Sequence, residues 1–195
     1  MQPDTLIGLG GHPALDFLNS HLVFHRETFE LLGDGTAYLD WLEAEHLVDA
    51  GDRAAAETDP GLDAAARAAV GLRDTLRPVI AAWAAGTPGA PDDATLAALN
   101  GLVRVGRRWD EVVPADGGLA YRPRRAWGSP EALLAPVAEA VADLFVHGDR
   151  ALVRVCDDVT CGLWFYDTTK SRRRRWCSMA ICGNRAKVRR HRMAT

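Results

Sequence analysis

Apolar positions recur at helical spacing in four stretches of the first 150 residues. Tyr38, Trp41 and Leu42 share one face of a segment from Thr36 to Val48, with Thr36 as the expected N-cap. The same spacing predicts helices over residues 62–85, from 92 or 93 to about 103, and 130–147. Pro78 lies inside the second helix, which we expect to be kinked or split there. The pattern indicates a mainly helical N-terminal region.

Short apolar runs that alternate with turn residues predict β-strands in two places. Residues 112–113 and 119–121 flank Asp116-Gly117-Gly118, which is typical of a small hairpin. Beyond Gly148, residues 151–155 and 163–167 read as two strands, and a helix follows from about Met179. The predicted fold class is α+β, with a mainly helical domain over residues 1–149 and a smaller strand-and-helix module over residues 150–195.

Composition places the chain among globular proteins. It has 195 residues, of which 48% are hydrophobic and 25% charged, so one or two domains are expected. The longest apolar stretch, residues 132–146, is interrupted by Pro136, Glu139 and Asp143, and no stretch is long enough to predict a membrane-spanning helix. The first eleven residues do not resemble a signal peptide, so a cytoplasmic location is expected.

Charge is distributed unequally between the two predicted domains. Residues 1–150 hold 12 basic and 23 acidic residues, a net charge of −11, whereas residues 151–195 hold 11 basic and 3 acidic residues, a net charge of +8. Such asymmetry is typical of a basic module that meets an anion, usually nucleic acid. A merely solvated charged tail is the alternative.

All four cysteines lie within 27 residues of the basic module, with the spacing C-x4-C-x15-C-x4-C. Two close pairs separated in this way predict a closed structural zinc site made by Cys156, Cys161, Cys177 and Cys182. Two disulfides are the alternative, which a reducing cytoplasm disfavours. A catalytic zinc is a poor fit, because four thiolates leave no position for water.

Basic residues surround the predicted metal site. Arg172, Arg173, Arg174 and Arg175 directly precede Trp176-Cys177. Arg185, Arg189 and Arg192 would share one face of the last helix, with Lys187 and Arg190 beside them. Part of this charge would neutralise a zinc–tetrathiolate, and we expect the rest to contact phosphate.

Two segments carry a resemblance to known families. Residues 174–179 (RRWCSM) and 182–187 (CGNRAK) resemble the signature of the CGNR zinc-finger family, and residues 165–168 (FYDT) resemble another of its segments. Residues 14–20 (ALDFLNS) resemble the start of the ABATE domain. The resemblance implies a treble-clef-like zinc module with four cysteine ligands, in a bacterial stress-responsive transcription regulator.

The N-terminal region contains a polar cluster that could bind a small molecule. His12, Asp16 and Asn19 are its central members, followed by His21 and His25. The alternative is that Asp16 and Asn19 only hydrogen-bond the backbone or cap a helix. A second metal is a further, weaker hypothesis for this cluster.

The sequence favours a DNA-binding regulator whose N-terminal domain acts as a sensor or a dimerisation unit. DNA is the expected partner, and a small-molecule ligand of the N-terminal domain and a homodimer are left open. An adaptor whose zinc module binds RNA or another protein is the alternative. An enzyme is not expected, because the chain shows no nucleophile–base pair, phosphate loop or nucleotide fingerprint.

Overall fold

The computed structural model describes residues 7–24 and 27–194. His25 therefore lies outside the described residues. The helices of this part are α1 (Pro13–Asn19), α2 (Gly35–Ala44), α3 (Ala50–Ala56), α4 (Leu62–Ala84), α5 (Asp93–Val105), α6 (Pro130–His147) and α7 (Asn184–Ala194). Three antiparallel hairpins pair β1 (His21–Phe24) with β2 (Glu27–Glu30), β3 (Arg108–Ala115) with β4 (Gly118–Arg125), and β5 (Val153–Val155) with β6 (Trp164–Tyr166). The α+β class and the helical N-terminal region are confirmed.

Side-chain caps explain where most of these helices begin. An oxygen of the residue before the helix accepts a backbone N–H of the first turn, which would otherwise lack a partner. These residues are Asp34, Asp49, Asp92 and Ser129. The expectation that Thr36 caps the second helix is wrong, because Asp34 holds that position and its carboxylate accepts from Ala37.

Helix α6 is the centre of the hydrophobic core. Leu133, Val137, Val141 and Leu144 are buried, and the helix packs against α1, α4 and α5. Helix α4 continues through Pro78, so the predicted split does not occur. Helix α1, helix α3 and the β1–β2 hairpin are additions to the predicted elements.

The predicted hairpin after α5 is confirmed and is longer than expected. Val112 pairs with Tyr121, and Arg108 pairs with Arg125 at the base. Gly117 and Gly118 have φ values of +88° and +155°, which an L side chain rarely adopts, so the glycines permit the tight turn.

The C-terminal module packs directly on the N-terminal region. The backbone N–H of Tyr166 donates to the carbonyl of Gly10 at 2.7 Å. Residues 150–152 form a 3-10 turn, and the strand expected to start at Ala151 begins at Val153. Among the described residues, none of the helices is long and apolar enough to cross a bilayer.

Candidate metal centre and its basic surroundings

Four buried cysteines bring their sulfurs together in the C-terminal module. The Sγ atoms of Cys156, Cys161, Cys177 and Cys182 all lie within 4.8 Å of one another. Cys177 Sγ is 3.7 Å from Cys161 Sγ and 3.6 Å from Cys182 Sγ, far beyond the length of a disulfide bond. Tetrahedral zinc with Zn–S bonds of about 2.3 Å places its sulfurs about 3.8 Å apart. The donor set and its spacing therefore fit one zinc ion.

The first cysteine pair belongs to a tight turn after β5. The N–H of Cys156 donates to Leu163 O at 2.9 Å, and the N–H of Cys161 donates to Asp158 O at 2.8 Å. Gly162 follows with φ of +86°, a conformation that favours glycine. The turn thus presents two sulfurs to one point, as the cysteine spacing predicts.

The second pair spans the start of the last helix. Cys182 lies in a π-helical turn, Met179–Gly183, which Ser178 caps by accepting the N–H of Ile181 at 3.3 Å. A Cβ on Gly183 would lie 2.8 Å from Met179 Sδ, so the flexible Met179 side chain packs directly over this glycine and would have to move for any other residue.

The last two residues of the CGNR signature also have clear contacts. Asn184 donates its side-chain N–H to Ala180 O at 3.2 Å, which secures the π-helical turn. Arg185 donates to Cys182 Sγ at 2.9 Å and to Asp158 Oδ2 at 2.8 Å. Asn184 and Arg185 therefore both have structural roles beside the fourth ligand, Cys182.

The close packing of four sulfurs suits a cation at their centre. Hydrogen bonds to Cys156, Cys161 and Cys182 raise the pKa of Cys177, because clustered sulfurs resist further ionisation. A divalent metal favours ionisation of all four thiols, since it binds the thiolates and leaves a net charge of about −2 on the site. The Arg185 guanidinium beside Cys182 compensates part of that charge.

Asp158 links the first turn to helix α7. Its buried carboxylate accepts from Arg185 and from Arg189, the latter at 2.9 Å, and also from Thr160. Burial alone would raise the pKa of Asp158, but the bonds from Thr160, Arg189 and Arg185 outweigh it and lower the pKa to about 2. Arg185 and Arg189, which the sequence predicted to contact nucleic acid, are therefore paired with Asp158, and the Arg189 side chain stays 39% exposed.

A second buried carboxylate, Asp167, organises the arginine-rich loop. It accepts the backbone N–H of Arg174 at 2.8 Å and the hydroxyl of Thr169 at 2.6 Å. The Arg174 side chain lies 4.5 Å over the Phe165 ring and donates to the carbonyls of Trp176 and Cys177. Arg174 is thus part of the framework of the loop.

The predicted nucleic-acid residues fall into two groups. Arg172 and Arg175 are exposed but pair with Asp149 and Asp157, at 3.4 and 2.6 Å, while Arg174, Arg185 and Arg189 have the internal contacts above. The second group is exposed and forms no ion pair within the described part of the chain: Arg173, Lys187, Arg190 and Arg192. Lys170, which was not among the predicted residues, is exposed in the same way, and we term these five residues the unpaired cations.

The N-terminal polar cluster is used for internal contacts. His12 caps α1 through Nδ1, and its Nε2 lies 3.3 Å from Asp143. Asn19 donates to Trp164 O at 2.9 Å and accepts the N–H of Trp164 at 2.8 Å. Asp16 accepts the N–H of Gly10 at 2.8 Å. These bonds correspond to the backbone-bonding alternative and attach α1 to the zinc module.

Asp16, which is buried, and Glu45, which is half-buried, are neighbouring carboxyl groups. Burial raises the pKa of Asp16 to about 6, although bonds from Gly10 and Asn19 oppose the shift. Burial and the neighbouring Asp16 charge raise the pKa of Glu45 to about 7. Gly8 donates to Glu45 at 3.2 Å and Gly10 donates to Asp16, so the loop before α1 contacts both groups.

An open pocket lies elsewhere in the N-terminal region, on the other side of His12. Its volume is about 680 Å³, and it is bordered by α6, the base of the β3–β4 hairpin and residues 46–52. Of the proposed ligand residues, His12 lines it, whereas Asp16 and Asn19 are not among its lining residues. Of His12, Asp16 and Asn19, only His12 therefore belongs to this pocket.

A closed four-cysteine centre joined to a helical body defines a zinc-finger protein with an added domain. A model of the CGNR zinc finger matches residues 153–194. A model of ABATE, described as a putative stress-induced transcription regulator, matches residues 11–148. The chain belongs to the ABATE family and carries a CGNR zinc finger, which confirms both resemblances. Among curated proteins, none matches the chain.

Proposed function

We propose that this protein is a zinc-dependent, DNA-binding transcription regulator in which residues 150–195 contact duplex DNA. The observation that carries the proposal is the set of five unpaired cations on a module built around one metal centre. Exposed Lys and Arg side chains that have no internal partner can neutralise phosphates without breaking contacts of the fold.

Helix α7 supplies part of this contact surface. Lys187 and Arg190 are three residues apart and share a face, which is rotated away from Arg185 and Arg189. The paired arginines hold the helix against the zinc centre, while the other face is available for phosphate. Arg185 and Arg189 therefore support the helix, and Lys187 and Arg190 contact DNA.

We propose that the N-terminal domain serves in dimerisation rather than in sensing a small molecule. His12, Asp16 and Asn19 already have internal partners, so a small ligand at these residues would have to break existing hydrogen bonds. We assign no catalytic step to the chain.

Fluorescence anisotropy with the full zinc-loaded chain tests DNA binding. Labelled duplex DNA, duplex RNA and single strands are titrated at several salt concentrations. Tight binding to duplex DNA should weaken steeply with salt, with log K falling by about 0.9 per log unit of salt for each phosphate neutralised. A preference for RNA, or no binding to any nucleic acid, would contradict the proposal and favour the adaptor alternative.

Two matched triple variants locate the contact. Alanine at Arg173, Lys187 and Arg190 should lower affinity at least about tenfold at low salt and reduce the salt slope by up to about 2.7. Alanine at Arg67, Arg104 and Arg122, which are exposed in the N-terminal region, removes the same charge and should change neither quantity. Equal losses in both variants would show that only net charge matters.

A further inference from the structure

One face of the β3–β4 hairpin is apolar and exposed to solvent. The strand pairing places Val112, Pro114, Leu119 and Tyr121 on the same side, because side chains alternate along a strand. Val112 is 57% exposed, and Leu119 and Tyr121 are each 76% exposed. Contiguous apolar surface of this kind marks an interaction site more often than a solvated face.

The hairpin projects from the body over most of its length. Residues 109–112 and 114–123 are all exposed, so its strands contact little besides each other. A two-stranded hairpin alone is only marginally stable in water, and it needs a further packing surface. The structure thus has an arm whose apolar side is uncovered.

The base of the same face borders the open pocket of about 680 Å³. Arg108 and Pro123 line it, and both lie on the apolar side of the hairpin. Three acidic residues that line the pocket already have partners within the chain. Asp143 contacts His12, Asp52 contacts Trp127, and Glu139 binds Arg125. Arg108 is 58% exposed and only loosely paired with Glu139, at 3.4 Å.

We propose that the hairpin is a dimerisation arm that packs against the same hairpin of a second copy of this chain. The two apolar faces meet in opposite directions, with Val112 and Tyr121 near the twofold axis. The tip of each arm, at Asp116, then reaches the base of the other arm, beside Arg108.

Strand geometry supports this twofold arrangement. Arg108 precedes Val112 by four residues and Asp116 follows it by four, so base and tip are each about 13 Å from the centre. A twofold axis through the centre therefore brings the acidic tip of one arm to the basic base of the other. Self-complementarity of this kind is what an isologous dimer requires.

A second copy also suits the proposed DNA contact, because a single small module reads few base pairs and dimers double the site. The β3–β4 hairpin supplies the surface for the dimerisation that the proposed function assigns to the N-terminal domain, so this inference rests on that function. Dimerisation is nevertheless measured without DNA. Failure of DNA binding and failure of dimerisation are therefore separate outcomes.

Sedimentation equilibrium of the full zinc-loaded chain, from about 1 to 100 µM, tests the arm. The wild-type mass should approach twice 21.1 kDa as concentration rises. Leu119→Asp and Tyr121→Asp should each weaken association at least about tenfold, because they place charge on the buried face. Ala120→Asp adds the same charge to the opposite face of the same strand and should leave association unchanged.

A charge exchange tests the direction of packing. Asp116→Arg and Arg108→Asp should each weaken the dimer, and the double variant should restore it. Circular dichroism and zinc content confirm folding of every variant. A monomer at 100 µM, a dimer that survives Leu119→Asp and Tyr121→Asp, equal disruption by Ala120→Asp, or no restoration in the double variant would each overturn the proposal.

Discussion

At the scale of single residues, buried carboxylates determine which of the nearby arginines are held in contacts within the fold. Asp158 and Asp167 engage Arg185, Arg189 and the backbone of Arg174, and these contacts fix α7 and the arginine loop around the metal. The four cysteines could be predicted from their spacing because the metal dictates it. Which arginines are paired could not be predicted, because pairing depends on where the folded chain places four aspartates, the buried Asp158 and Asp167 and the more exposed Asp149 and Asp157.

The Asp16–Glu45 pair predicts an unusual dependence of stability on pH. Both carboxyl pKa values are raised by burial, to about 6 and about 7, so the folded state holds protons that the unfolded state releases. Their stabilising contribution is complete below about pH 4, where both states are protonated, and is lost as pH rises through 7. Replacing one of these two carboxyl groups with an uncharged side chain should remove much of this loss of stability at high pH.

Glu45→Gln should therefore be more stable than the wild type at pH 8, by about 1–2 kcal/mol, and equal to it near pH 4. Urea denaturation at both pH values measures the difference. Glu57→Gln, at an exposed position, is the control and should track the wild type at each pH. A Glu45→Gln variant that is less stable than the wild type at pH 8 would contradict the burial argument.

At the scale of secondary-structure elements, α1 joins the two domains. Asn19 bonds both backbone groups of Trp164 in β6, and the loop before α1 bonds Tyr166. Strand β6 therefore uses α1 as a support in addition to its partner β5.

Asn19→Ala should release this support while leaving the metal bound. It removes the partners of two Trp164 backbone groups, at a cost of about 1–3 kcal/mol for each group left unsatisfied. Hydrogen exchange at the Trp164 amide should accelerate, and zinc content should stay at one per chain. Asn100→Ala, on the exposed side of α5, is the control. Unchanged exchange at Trp164 would show that α1 does not support β6.

The helices and strands that could be predicted are those with strong local sequence signals. Helices α5 and α6 have clear capping residues and regular apolar spacing, and the β3–β4 turn has two glycines. Helix α1 has only seven residues, and the β1–β2 hairpin is short, so neither leaves a strong periodic pattern. Pro78 was expected to kink or split α4, and the helix continues through it, with Leu76 and Ile80 on either side buried in the core.

At the scale of the whole molecule, the metal centre and the N-terminal region share one hydrophobic cluster. Leu22 of β1 is buried against the cysteine ligands together with Leu163 and Phe165, and Leu9 and Phe29 pack on its edge. The boundary between the family matches therefore does not separate two independent cores. Sequence patterns could not reveal this, because the contact joins residues more than 100 positions apart.

Removing zinc should therefore loosen the β1–β2 hairpin as well as the module. After chelation, backbone amides at Leu22 and Phe29 should exchange much faster, because structural zinc contributes about 10 kcal/mol or more of folding free energy. Amides of α6 between Val137 and Leu144 belong to the other cluster and serve as the internal control. Exchange at Leu22 that is insensitive to chelation would show that the two regions unfold independently.

The shared cluster also sets an order of events during synthesis. Leu22 leaves the ribosome 160 residues before Cys182, the last ligand of the centre that covers it. At about 5–20 residues per second, this delay is on the order of ten seconds. During that time Leu22 lacks its native cover, so we expect this side chain to stay exposed in the newly made chain until the metal centre forms.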